Sequence, residues 1–141
     1  EGEVQLDFLA PGSQGTLPHF DTNDNSVVMH LTFKNISLLL PGDLMELGEM
    51  VLLEKKPFLK SNILKVGHHG SETSTRKEFL EEVHPQYAVI SVGAYNSYGM
   101  PDSSVLDHLR QKGVTIYRTD RQGSISFITD GQKLEVETFV P

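Results

Sequence analysis

His68 and His69 stand side by side between Gly67 and Gly70, at the end of the apolar run Ile63-Leu64-Lys65-Val66. Imidazole titrates nearest neutrality and is a common ligand of divalent metals, so two of them on a glycine-flanked strand tip point to metal or phosphate chemistry. A polar turn after a buried strand is the plain alternative for the dipeptide alone. A carboxylate stands in a similar place: Asp43 follows the apolar run Ile36-Ser37-Leu38-Leu39-Leu40 through Pro41-Gly42. With Glu46 three residues on, it also makes the Asp-x-x-Glu pattern that caps a helix, a role compatible with metal binding. His19, Asp21 and Asp24 read as solvated loop residues, His30 as a packed or face-exposed strand residue, and His108 as a surface residue of a helix.

The elements that must carry these groups follow from hydrophobic period and punctuation. Val4 to Leu9 alternates like a half-buried strand and closes at Pro11-Gly12, and 12–25 reads as a loop, the one candidate linker. Ser26 to Phe33 and Ile36 to Leu40, separated by Lys34-Asn35, form an antiparallel hairpin. A helix follows with Leu44, Leu47, Val51 and Leu52 on one face, ended by Lys55-Lys56-Pro57. Strand, helix and strand from Ile36 to Val66 make a βαβ unit, whose right-handed crossover sets the strands parallel. Asp43 and the two histidines therefore leave the same edge of the sheet, where open α/β sheets place ligands.

The pattern then repeats. Thr75 with Glu78 reads as a capping box for a helix burying Phe79, Leu80 and Val83, stopped by His84-Pro85. Tyr87 to Val92 is the next strand, and it delivers the loop Gly93-Ala94-Tyr95-Asn96-Ser97-Tyr98-Gly99-Met100-Pro101 to the same edge, to shape a cleft or simply to pack. Asp102 caps a helix carrying Val105, Leu106 and Leu109, with Gly113 at its C′ position, and Val114 to Arg118 is a strand. Two alternating runs, Ser124 to Thr129 and Lys133 to Phe139, close the chain as a hairpin.

The 141 residues, 38% apolar, suit one α/β domain with a modest core. A net charge of -7 argues against a broad nucleic-acid-binding face, because such faces neutralise phosphates with Lys and Arg. There is no cysteine, which excludes disulfides, thiolate zinc sites and cysteine nucleophiles together. No apolar run is long enough to span a bilayer. The chain opens at Glu1 without methionine and enters strand-like sequence almost at once, as expected of a piece of something larger.

The succession Asn23-Asp24-Asn25-Ser26, Leu39-Leu40-Pro41-Gly42-Asp43, Leu64-Lys65-Val66-Gly67-His68-His69-Gly70-Ser71, Ile90-Ser91-Val92-Gly93 with Asn96-x-Tyr98-Gly99, and Tyr117-Arg118-Thr119-Asp120 resembles the metallo-β-lactamase-like domain at the C-terminal end of ComEC-type competence proteins. The resemblance covers nearly the whole of residues 1–141. It implies the C-terminal half of an αββα sandwich, with a mixed sheet, helices packed on it and a terminal β-hairpin. It implies too a divalent metal pair, zinc or manganese, in a nuclease acting on incoming DNA during transformation. In that family Asp43 matches the carboxylate bridging the metals. The His68-His69 pair matches the last histidine motif, giving His69 as metal ligand and His68 as catalytic assistant, interchangeable on the sequence. Ser71, Asn96 and Tyr98 become substrate contacts.

The family's principal ligand motif, His-x-His-x-Asp-His, belongs to the other half of the fold and is absent here, so the metal site is incomplete and the chain alone is expected to be inactive. Pro41 replaces the usual Thr before Gly-Asp, and Met100 replaces the histidine of Tyr-Gly-His-Pro, removing any proton chemistry there. The partners implied are DNA through the parent protein, the missing N-terminal half, the parent membrane channel, and a second copy through the flank left exposed. The place implied is a soluble domain on the extracytoplasmic side of a bacterial inner membrane. Two other readings stand beside this one: a hydrolase of the same fold for another phosphodiester, such as a choline-phosphate ester, and a non-catalytic accessory module.

Overall fold

Alternation and parallel crossovers build a six-stranded sheet whose spatial order is its sequence order. In the computed structural model, which describes residues 2–12, 15–55 and 57–140, strands β1 (Val4–Ala10), β2 (Val28–Phe33) and β3 (Ile36–Leu40) pair antiparallel. Helix α1 (Glu46–Glu54) leads to β4 (Ile63–Lys65), α2 (Lys77–Val83) to β5 (Tyr87–Ile90), and α3 (Ser103–Gln111) to β6 (Thr115–Arg118). The strands β3 to β6 are parallel throughout. After the short α4 (Thr119–Gln122), β7 (Ile125–Thr129) and β8 (Leu134–Thr138) form a separate antiparallel ladder. The mixed α/β architecture and closing hairpin expected from the sequence are therefore present.

Register divides the sheet into two faces. Leu39, Leu64 and Ala88 lie opposite one another in adjacent strands and are fully buried. With Leu52 of α1, Phe79, Leu80 and Val83 of α2, and Val105, Leu106 and Leu109 of α3, they form one continuous core. Burying a side chain of this size stabilises by roughly 1.5–3 kcal/mol. The opposite face is covered in part by the terminal hairpin, where Phe127 stacks on Tyr87 and Tyr117 at centroid distances of 5.8 and 6.1 Å. Over β1 it stays open: Val4, Leu6 and Phe8 are 60%, 45% and 65% exposed. They pair with Phe33, Leu31 and Met29 of β2, so the open apolar face is continuous across the two strands.

Five expectations are corrected. Asp43 does not cap α1: Met45 is the N-cap residue and makes no side-chain cap bond. The amide of Gly48 in the first turn donates instead to Asp24 Oδ1 at 2.8 Å, so Asp24 is a buried cap delivered by the early loop and not a solvated loop residue. That loop is accordingly packed onto α1 through Asp24 and does not behave as a linker over its described residues; Ser13 and Gln14 lie outside them. The Thr75–Glu78 capping box is likewise absent. Arg76 is the N-cap residue of α2, and the amides of Thr75 and Arg76 donate to the Glu49 carboxylate of α1 at 2.5 and 3.1 Å. On α1, Leu47 is 47% exposed, because the helix turns Gly48, Glu49 and Leu52 inward in its place. Lys56, read as part of the stop of this helix, lies outside the described residues.

The remaining local signals fold as read. Asp102 Oδ1 accepts from the Ser104 amide at 2.8 Å to cap α3. Gly113, at φ 70°, ends that helix in the left-handed conformation that glycine adopts at no steric cost. His30 is a packed strand residue, 4% exposed, whose Nε2 has no hydrogen-bond partner among the described residues.

Candidate functional site

Three chain corners meet at the carboxyl edge of β3, β4 and β5. Pro41, Gly42 and Asp43 leave β3 there. Ser26 Oγ accepts from the Asp43 amide at 3.1 Å, and Gly42 O accepts from the His68 amide at 3.2 Å. Gly42, at φ 64°, has Ser26 Cβ only 3.1 Å from where its own Cβ would stand, so the corner is closed both sterically and by hydrogen bonds. Residues Asn23 to Ser26 thus have defined tasks: Asn25 holds Leu17, Asp24 caps α1, and Ser26 holds Asp43.

The run Gly67–Gly70 is a short 3-10 turn in which His68 (φ 43°, ψ 46°) and His69 (φ 56°, ψ 18°) both take left-handed backbone conformations. Such φ values are uncommon for side-chain-bearing residues and cluster at functional sites. The turn is over-determined by its neighbours. Gly67 donates to Thr75 Oγ1 at 3.2 Å, Ser74 Oγ donates to Gly67 O at 2.9 Å, and the Asp102 amide donates to Gly70 O at 2.8 Å. A Cβ on Gly70 would lie 2.6 Å from Pro101 Cβ, which requires glycine where the 93–101 loop docks on the turn.

This scaffold brings Asp43 and His69 together, with Asp43 Oδ1 3.7 Å from His69 Nε2. His69 Nδ1 lies 2.7 Å from the carbonyl oxygen of Ser91, an arrangement in which Nδ1–H donates and Nε2 is the ring nitrogen that faces Asp43. Ser91 is held in turn, because the next amide, of Val92, donates to Thr119 Oγ1 at 2.8 Å. Arg118 and Asp120 brace that strand end with two bonds of 2.9 and 2.6 Å, and the hydrogen bonds from Arg118 lower the Asp120 pKa. His68 points elsewhere: its Nδ1 is 3.5 Å from Thr73 Oγ1 and its ring centroid 6.4 Å from that of His69.

Lys65 also belongs to this corner, and sequence reasoning passed over it as one residue of a strand. Its Nζ donates to Gly42 O at 3.1 Å and stands 3.8 Å from Asp43 Oδ1. Burial lowers the Lys65 pKa, and the Asp43 charge partly opposes that. The signal available in the sequence was a cation on a short buried strand two residues before the histidine turn.

The proposed substrate contacts are spread differently. Ser71 is buried, with its Oγ 3.0 Å from Thr73 Oγ1. Asn96 closes its own loop, donating to Gly93 O and Met100 O at 2.9 and 2.8 Å and accepting from the Met100 amide at 2.9 Å. Tyr98 is 82% exposed. Among the described residues, no group of three or more His, Cys, Asp or Glu side chains lies close enough to hold a metal ion. The donor chemistry of Asp43 and His69 nevertheless fits a divalent cation as two ligands: a hard carboxylate oxygen, and an imidazole nitrogen whose partner nitrogen is fixed by a carbonyl.

With this geometry in place, sequence comparison gives the chain its relatives. Over 125 residues, 89% of this chain, it is 38% identical to ComE operon protein 3 of Bacillus subtilis (strain 168). The same identity over 88% of the chain relates it to Competence protein ComA of Neisseria gonorrhoeae, and 31% identity over 94% to Recombination protein 2 of Haemophilus influenzae. These homologues are ComEC-type competence proteins. The chain spans 16 to 18% of the length of these relatives and so corresponds to one segment of each. No family model matches it. Among the described residues, no helix of this chain is long and apolar enough to cross a membrane.

Proposed function

We propose that this segment carries the distal part of a divalent-metal site in a metallo-β-lactamase-like domain that hydrolyses DNA phosphodiesters during uptake. The observation that carries the reading is the 3.7 Å approach of Asp43 to His69, with His69 Nδ1 fixed on Ser91 O. A carboxylate and an oriented imidazole on strand-end turns are a place for a cation to bind, and the competence relatives supply the DNA context. Asp43 and His69 would hold the metal, here zinc or manganese. When bound, such an ion polarises a phosphoryl oxygen and stabilises developing negative charge. His68, clear of Asp43, is free to assist a phosphate or its leaving group. Lys65 holds the Gly42-Asp43 corner in register with the histidine turn.

The remaining ligands come, in this reading, from the preceding part of the parent protein, folded as a second sheet over the open apolar face of β1 and β2. A non-catalytic accessory role is the second reading, favoured by Met100, which offers no proton or hard-metal ligand where the resembling family carries histidine. The test is DNA hydrolysis by the parent-length protein with zinc or manganese, which should be lost with a chelator and in Asp43→Ala.

Two further outcomes are expected of the 141-residue chain by itself. Two ligands cannot retain a divalent pair against dialysis, so elemental analysis after loading with zinc or manganese should find less than one equivalent, and nuclease assays should stay at background. Two equivalents retained, with cleavage lost in Asp43→Ala, would show that the chain holds a complete site. The open face of β1 and β2 and the unpaired edge of β1 should also drive self-association. Light scattering is expected to show dimers or larger species that revert to monomer in Leu6→Lys/Phe8→Lys, and a clean monomer of the unsubstituted chain at high concentration contradicts the open-face account.

A further inference from the structure

We propose that the groove between α1 and α2 is a docking site for a basic amphipathic helix of a partner protein. The two helices lie side by side, packed on one face of the sheet. Between them run two adjoining cavities of about 560 and 360 Å³ that share Leu53 and Glu78. The floor is apolar, made by Leu53, Leu59 and Phe79, and Met50 stands 48% exposed at one end. Its walls are acidic, with Glu54 on α1 and Glu78, Glu81 and Glu82 on α2.

The charges around this groove are unbalanced. Arg76, a cation on its wall, is already paired with Glu46 and Glu78, and Lys112 pairs with Glu81 at 2.8 Å. Glu54 and Glu82 form no ion pair among the described residues. An apolar trough with a surplus of carboxylates repels nucleic acid and anionic lipid. It complements a helix with apolar residues at i, i+3 or i+4 and i+7 and with Lys or Arg beside them. Groove recognition of this kind places one or two apolar anchors in the cavity and lets the flanking cations select the orientation. Charge complementarity thus identifies the occupant, and the proposal is independent of the metal-site reading.

The probe is a labelled helical peptide of leucine and lysine with the leucines on one face, titrated into the 141-residue chain by fluorescence anisotropy. Saturable binding is expected with Kd on the order of 10 µM, and amide shifts should centre on Leu53, Glu78 and Glu82 in a heteronuclear correlation spectrum. Glu78→Lys/Glu82→Lys should weaken binding at least ~10-fold, since reversed charges now face the peptide's cations. Glu135→Lys/Glu137→Lys makes the same change in net charge on β8 and should alter Kd less than ~2-fold. Equal weakening by the two double variants would reduce the effect to the chain's overall negative charge. Shifts confined to β1 and β2 would place the peptide on the open sheet face, and absence of binding at ~1 mM peptide would leave no site. Any of these three results overturns the proposal. The shift map of the unsubstituted chain decides even if a variant fails to fold.

Discussion

With Asp43 holding the metal as proposed, Asp43→Ala in the parent-length protein should lower phosphodiester hydrolysis by ~10²-fold, the upper end of the loss produced even by removing an outer partner of a metal ligand. The carboxylate is half-exposed, and its ion pairs among the described residues are those with Lys65 and His69 at the site itself, so the fold should survive the change. His69→Ala should have a comparable effect, because it removes the imidazole aimed at Asp43 together with the bond to Ser91 O. Met100→Ala should change the rate less than ~2-fold: the thioether offers neither acid, base nor hard-metal ligand, and the Asn96 bonds at this position involve the Met100 backbone. Rates measured on a chromogenic phosphodiester and on single-stranded DNA, with metal content determined for each variant, check this. Equal losses from Asp43→Ala and Met100→Ala would contradict the assigned roles.

The second large effect lies in the fold. Glu49 is 1% exposed and its carboxylate accepts the amides of Thr75 and Arg76, so it joins α1 to the start of α2. Glu49→Ala leaves two amide donors without a partner, and at ~1–3 kcal/mol for each such group a loss of about 3 kcal/mol is expected in denaturant unfolding. Glu49 also makes stability depend on pH in an unusual direction. Burial raises its pKa from 4.5 to about 7 against the opposing pull of the two amides, so the folded state binds a proton that the unfolded state has released. That contribution is fully present below about pH 4.5 and is lost as pH rises through about 7, a change of roughly 3 kcal/mol. Other carboxylates work the opposite way, Asp120 among them, since Arg118 holds its pKa down. The comparison is therefore with Glu49→Gln, which cannot titrate. The stability difference between the unsubstituted chain and Glu49→Gln should shrink or reverse between pH 4.5 and 8, and a difference constant across that window would show that Glu49 does not titrate as described.

These two predictions divide what the sequence made legible from what it did not. Element order, the parallel crossovers and the meeting of Asp43 with the histidine turn were readable, because period, punctuation and the handedness of βαβ units are local rules. The caps were misread for a physical reason. A carboxylate near a helix start in sequence is a cap only if it sits at the N-cap position, and here the N-cap is Met45, two residues after Asp43, with a first-turn amide already served by Asp24 from the early loop. Glu49, from a neighbouring helix, holds the two amides that lead into α2. Such long-range caps leave no spacing to read. Lys65 was missed similarly, since a strand lysine gives no sign that a corner 23 residues earlier will fold over it. The two left-handed histidines were announced only by the flanking glycines.

Cleavage of single-stranded DNA by the parent-length protein, with zinc or manganese and with a chelator, tests most directly whether the Asp43–His69 edge works in a hydrolase. Cleavage that needs the metal and disappears both with the chelator and in Asp43→Ala is the expected result. Cleavage indifferent to chelator and substitution, or no cleavage at all by a folded and metal-loaded parent, would contradict it.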